Sequence, residues 1–128
     1  MERQLSQLVR FHKAFRHVVN DFPTADIDFS LRKLRVAFIK EEAGEYANAV
    51  MSGDIVDISD ALMDLLYVTY GAIVVHGLQG KAVELFDEVQ RSNMSKLDAE
   101  GNPVYREDGK VLKSDLFSPS DLKSILTE

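Results

Sequence analysis

Two stretches decide the fold: Lys40-Glu41-Glu42-Ala43-Gly44-Glu45 and Asp57-Ile58-Ser59-Asp60-Ala61-Leu62-Met63-Asp64. Upstream of the first, Leu31, Leu34 and Phe38 recur at helical spacing and predict the inward stripe of a helix. Continued at the same spacing, that stripe meets Glu42, Glu45 and Ala49, so acids take places where core residues belong. Glu41 stands one turn from Glu45. In the second stretch Asp57, Asp60 and Asp64 share one helix face and run directly into Leu65-Leu66-Tyr67-Val68. Aspartate is a poor helix-interior residue, and burying one is costly unless it is paired.

Gly53 is a natural stop for the first of these helices, and Asp54 or Asp57 opens the next. Two helices joined by about two residues are antiparallel neighbours. At a rise of about 1.5 Å per residue, the two acid groups then come to the same height. No arginine falls on either stripe, so the carboxylates repel one another unless a hard divalent cation, magnesium or manganese, sits among them. Any one of these acids alone reads as a solvated surface residue. Glu42, Glu45, Asp60 and Asp64 together, on apolar stripes and matched in height, read as a cation site.

Working outward, Leu5, Leu8, Phe15, Val18 and Val19 predict a first amphipathic helix from Glu2 to about Asn20, broken at Asp21-Phe22-Pro23-Thr24. The acid-bearing second helix starts near Asp28 or Ser30 and runs to about Ser52, and the third reaches about His76, with Gly77 and Gly80 behind it. Lys81 to about Leu97 makes a fourth. Asp108-Gly109 between Asn102-Pro103-Val104-Tyr105-Arg106-Glu107 and Lys110-Val111-Leu112-Lys113 is a hairpin signal, and Ser118-Pro119-Ser120-Asp121 opens a last helical turn or two. The expected fold is all-α: a four-helix bundle with a short C-terminal hairpin, as a single domain over residues 1–128.

Composition narrows the function. There is no cysteine, which removes disulfides, zinc thiolates and a cysteine nucleophile. A net charge of −6 argues against a nucleic-acid polymer as partner, since that needs a basic face. No uninterrupted apolar run reaches the roughly 18 residues of a membrane helix, so no membrane partner is expected. The N-terminal stretch alternates charged and apolar residues, unlike a signal peptide, and a cytoplasmic location is the expectation.

The acidic pattern Glu41-Glu42-x-x-Glu45, with Asp60 and Asp64 in Asp-Ala-Leu-Met-Asp-Leu-Leu-Tyr, resembles the all-α nucleoside triphosphate pyrophosphohydrolases, the superfamily of MazG, the dimeric dUTPases and phosphoribosyl-ATP pyrophosphohydrolase. Arg91-Ser92-Asn93-Met94-Ser95-Lys96-Leu97 and Gly109-Lys110-Val111-Leu112-Lys113 extend the similarity. The second acidic motif of that superfamily usually reads Glu-x-x-Asp. Here Ala61 stands three before Asp64, and Asp60 is one turn away on the same face.

The resemblance implies a MazG-type bundle that hydrolyses a nucleoside triphosphate, dUTP or a non-standard nucleotide among the candidates, between the α and β phosphates. It implies magnesium, with manganese as a substitute, held by Glu42, Glu45, Asp60 and Asp64, and Glu41 orienting or deprotonating the attacking water. Phosphoribosyl-ATP hydrolysis in histidine biosynthesis is the alternative substrate. A non-catalytic metal- or nucleotide-binding module is the alternative class. A homodimer or homotetramer is expected, because an acidic hairpin needs covering and a lone bundle has little surface to enclose a triphosphate.

Asn93 and Lys96, one turn apart, are candidates for a base edge or a phosphate oxygen. Arg91, Lys110 and Lys113 are candidates for closing over the triphosphate. His12 and His17, five apart on different faces of one helix, fit a metal site poorly. Phe11 and Phe15 read as core, with stacking on a base as the alternative, and Asp57 as a helix cap.

Overall fold

A computed structural model describes residues 1–128 as five helices and a two-stranded sheet. The chain divides into two compact units, Met1–Gly80 and Lys81–Glu128. It is all-α, as expected.

In the first unit α1 spans Glu2–Ala14, α2 Phe29–Ser52 and α3 Ile55–Val75. Gly53 and Asp54 alone join α2 to α3. Gly53 adopts φ 71° and its N–H donates to Val50 O, ending α2 in a left-handed turn. Asp54 then caps α3, its carboxylate accepting from the Val56 N–H at 2.8 Å. Asp54 is therefore the cap, and Asp57 sits free in the first turn of α3. So short a link forces the two helices to run antiparallel, and they pack along their length, with α1 laid against α3. Leu5, Leu8, Ile27, Val74 and Val75 are buried at the centre of this unit.

The first helix ends six residues earlier than periodicity predicts. Arg16 turns to φ 58°, which stops helical propagation after Ala14. The chain that follows supplies partners for the open end of α3 instead. Asn20 Nδ2 donates to Val75 O at 2.6 Å, the Thr24 N–H to His76 O at 2.9 Å, and Gln79 Nε2 to Asn20 O at 2.8 Å. Carbonyls at a helix C-terminus have no intrahelical donor, and capturing them outweighs two further turns of α1. Val18 is exposed in consequence. By length and composition α3 is apolar enough to cross a membrane, although Asp60 and Asp64 interrupt its apolar run.

In the second unit α4 spans Ala82–Met94, β1 Val104–Tyr105, β2 Val111–Leu112 and α5 Leu122–Leu126. The strands pair antiparallel, Val104 with Leu112 and Tyr105 with Val111, across a turn in which Gly109 has φ 88°. Serine side chains stitch the tail to α4: Ser92 Oγ donates to Ser118 O at 2.8 Å, and Ser114 Oγ to Leu97 O at 2.6 Å. α4 packs against α5, which Asp121 caps.

The link between α3 and the Phe22 turn tests this account. Gly77 has φ 68°, and a Cβ there would collide with the Phe22 carbonyl. Gly53 has the same handedness with open space around it. Gly77→Ala should cost about 2–4 kcal/mol, against about 1–2 kcal/mol for Gly53→Ala. Equal losses in denaturant unfolding would refute the close approach.

Candidate metal centre

Glu41, Glu42 and Glu45 bring one carboxylate oxygen each to within 4.8 Å of the others. Glu42 lies on the buried line of α2 and is half-buried, and its Oε2 is fully buried with no hydrogen-bond partner. Burial pushes the Glu42 carboxyl up, and the nearby charges of Glu45, Asp64 and Glu41 push it in the same direction, as does a hydrogen bond shared with Glu45. A carboxyl raised in this way favours the folded state at low pH. It loses that advantage as pH rises through the raised value. No lysine or arginine forms an ion pair with any acid of the group. The orphaned Glu42 oxygen among like charges fits a hard cation, which would supply the missing counter-charge to all of them.

Across the hairpin, α3 presents Asp64 beside Glu42, close enough to act on its charge. One turn toward the hairpin link, Glu45 and Asp60 line a cleft of about 290 Å³ together with Asp57, Asn48 and Ser52. Asp64 is half-buried, whereas Glu45 and Asp60 are exposed. All five acids singled out by spacing therefore belong to one stretch of the α2/α3 hairpin. Asp57 lines the same cleft. Its role as a cap was taken by Asp54, and Asp57-x-x-Asp60 has the acid-x-x-Asp spacing that Asp60 and Asp64 lack. That spacing was the available signal.

The inward stripe of α2 differs from the predicted one at Glu45, which is exposed, and at Leu34. Leu34 is 44% exposed, and the buried residue is its neighbour Arg35, 8% exposed. An arginine thus does stand on the stripe, one turn and a half from Glu41, but it pairs with none of the acids. The histidines also differ. Because α1 stops at Ala14 and the chain turns back at Arg16, the His12 and His17 rings lie 5.3 Å apart, edge to face. His12 is buried and its Nδ1 meets Val18 O at 2.9 Å, which makes it a structural residue in that contact. Phe15 is exposed rather than core, stacked at 4.5 Å on a half-buried Phe11, which in turn meets Tyr67 edge-on at 5.5 Å.

The remaining candidates lie in the second unit. Arg91 is held by Glu88 through two hydrogen bonds of 2.8 Å and donates to Pro119 O at 3.1 Å. Those bonds hold the Glu88 carboxyl down to about 2. The pair's contribution to stability is thus complete above the ordinary carboxylate range and is lost as pH falls toward that value. Lys113 covers the Phe117 ring at 4.5 Å. Lys96 is half-buried, and Asn93 and Lys110 are exposed.

The family described as phosphoribosyl-ATP pyrophosphohydrolase matches residues 8–93, a segment that contains every acid of the cluster. A relative from Acanthamoeba polyphaga mimivirus, "Uncharacterized protein L479", is 38% identical over 71 residues, covering 53% of this chain and 28% of that protein. The chain therefore spans little more than a quarter of the length of this curated relative. With more than half of its length matched and the acidic hairpin inside the match, the chain belongs to the phosphoribosyl-ATP pyrophosphohydrolase family, within the MazG-like nucleotide pyrophosphohydrolases.

Proposed function

We propose that this protein is a divalent-metal-dependent hydrolase that cleaves a nucleoside triphosphate between its α and β phosphates, giving the monophosphate and pyrophosphate. The observation that carries the reading is the converging carboxylate group with the buried, unpartnered Glu42 oxygen at its centre. Glu42, Glu45, Asp60 and Asp64 hold magnesium, with manganese as a substitute and Asp57 as an additional oxygen donor. When bound, the cation neutralises phosphate charge and acidifies water. Glu41 is exposed beside this group, where its carboxylate accepts the proton of the water that attacks the α-phosphorus. The oxygen–phosphorus bond forms on one side as the bond to pyrophosphate breaks on the other.

Asn93, Lys96, Arg91, Lys110 and Lys113 are the proposed contacts to the rest of the nucleotide. Arg91 serves through the conformation it fixes, since its donors are already engaged by Glu88 and Pro119. The family's description supports phosphoribosyl-ATP as the alternative substrate, beside the first reading of dUTP or a non-standard nucleotide. A second copy of the chain completes the enzyme. Val36, Met51, Ile55, Val56 and Met63 leave an apolar surface along α2 and α3 exposed, with Ile55 and Val56 each 71% accessible. Apolar patches of this kind mark interfaces, and a second acidic hairpin hides them while enclosing the triphosphate.

Pyrophosphate release from dUTP, the common nucleotides and phosphoribosyl-ATP, with and without magnesium, tests the reading. Magnesium-dependent release from one or a few is expected, falling at least ~10³-fold in Glu45→Ala. Silence across the panel from folded protein would refute it. Glu42→Gln replaces a repelling carboxylate with a neutral donor to Glu45, so the metal-free variant should melt above wild type and gain nothing from magnesium. An unchanged melting temperature, or retained stabilisation by magnesium, would remove Glu42 from the site. Sedimentation should find a dimer or tetramer at micromolar concentration, and a monomer would overturn the second-copy assignment.

A further inference from the structure

Beside the acidic group, the first unit holds another cavity, of about 310 Å³, whose wall includes Phe11, Phe38, Tyr67, Val68 and Gly71, with Glu41 and Glu42 on one flank. Its volume is at the lower end of the ~300–1,000 Å³ of small-molecule sites. Its apolar lining is largely aromatic, and Arg35 lines it together with the His12 and His17 rings.

Arg35 is anomalous. It is 8% exposed, its Nε is buried without a hydrogen-bond partner, and none of the chain's ion pairs includes it. The guanidinium sits over the Phe38 ring, 5.3 Å from its centre, an attraction that compensates only part of a cation's desolvation. Space for it is made by a missing side chain. A Cβ at Gly71 would stand 2.9 Å from Arg35 Nη1 and 3.3 Å from His12 Nε2. His12 supplies no counter-charge, because an imidazole is never an anion; burial lowers its pKa, and the Arg35 charge acts in the same direction. A buried cation held over an aromatic ring, with unfilled donors in a cavity, is arranged for an acceptor that arrives with a ligand.

The ligand group is set by the walls. A phosphate chain would face Glu41 and Glu42 across an aromatic lining, and its place is at the carboxylates with their cation. A flat ring with an acceptor on its edge suits the aromatic walls and the guanidinium together. We propose that this cavity takes the base of the substrate nucleotide, and that Arg35 donates to a ring oxo group on its edge, so that oxo bases are preferred to amino bases at that position. Arginine has donors only. An oxo group accepts from it, whereas an amino group in the same place offers the guanidinium no acceptor. This assignment rests on the nucleotide-hydrolase reading and adds to it a specificity-determining residue and a class of base.

The test uses metal-free full-length protein and nucleoside monophosphates, so binding is read apart from turnover. Calorimetry should find UMP bound more tightly than CMP, or GMP more tightly than AMP, by ~10–100-fold, the span of one hydrogen bond to a charged group. Arg35→Met should abolish that ratio and raise the melting temperature, because it removes an unpaired buried cation. Gly71→Ala, whose Cβ would press on Arg35 Nη1 from 2.9 Å, should displace the guanidinium and bring the oxo-to-amino ratio toward one. Equal binding of oxo and amino partners by wild type would overturn the assignment, as would a ratio kept in Arg35→Met. Loss of inorganic pyrophosphate binding in Arg35→Met would make the guanidinium a phosphate site and overturn it too. Magnesium-dependent pyrophosphate release by wild type, measured separately, decides the underlying hydrolase reading: release without base discrimination sinks the pocket alone.

Discussion

Mutual repulsion among the carboxylates of one helical hairpin is the constraint on which the first unit turns. Glu41, Glu42 and Glu45 crowd together on α2, and Asp64 adds its charge from α3. Burial makes the cost larger at Glu42, whose inner oxygen finds no donor. Such an arrangement persists only if the rest of the unit holds the helices in place. The two-residue link at Gly53 and Asp54 fixes their antiparallel register, and the segment after α1 ties down the far end of α3 through Asn20 and Thr24. The hairpin is therefore secured at both ends and electrostatically unfavourable in between. A cation bound among the carboxylates would restore the stability given up there.

Much of this was legible in the residues. Acids at places where helical spacing calls for core residues drew attention to the stretch where Glu41, Glu42 and Glu45 gather, although of that group only Glu42 lies partly buried. Gly53, and Asp-Gly at 108–109, fixed a helix end and a hairpin through backbone rules that depend little on tertiary context. What was not legible depended on contacts distant in sequence. The end of α1 at Ala14 reflects the needs of α3 carbonyls more than fifty residues away. Asp57 was misread for a related reason: two aspartates compete for one cap, and only the backbone geometry shows that Asp54 wins.

Arg35 illustrates a different failure. A stripe drawn from Leu31, Leu34 and Phe38 is one residue wide, but the buried surface of a helix is broader, and an arginine stem covers apolar surface as well as leucine does. Choosing Leu34 over Arg35 followed hydrophobicity, whereas the structure follows the space left by Gly71. A glycine inside α3, where it lowers helix stability, was the available clue that something bulky lies against that point.

Taken together, Arg35 and the acids divide α2 into two chemical zones about two turns apart. Arg35 stands six and seven residues from Glu41 and Glu42, beyond the three- and four-residue spacing at which helix charges pair, so it neutralises neither carboxylate. Here the guanidinium is turned onto Phe38 and toward Gly71, out of ion-pairing range of every acid. The helix thus keeps an uncompensated negative zone and an uncompensated positive one, each costly alone. A ligand carrying both a cation-bound phosphate chain and an acceptor-bearing ring relieves both at once. Binding energy would then come largely from the release of strain that folding has already stored, a preorganised complementarity that a paired and neutral α2 would not possess.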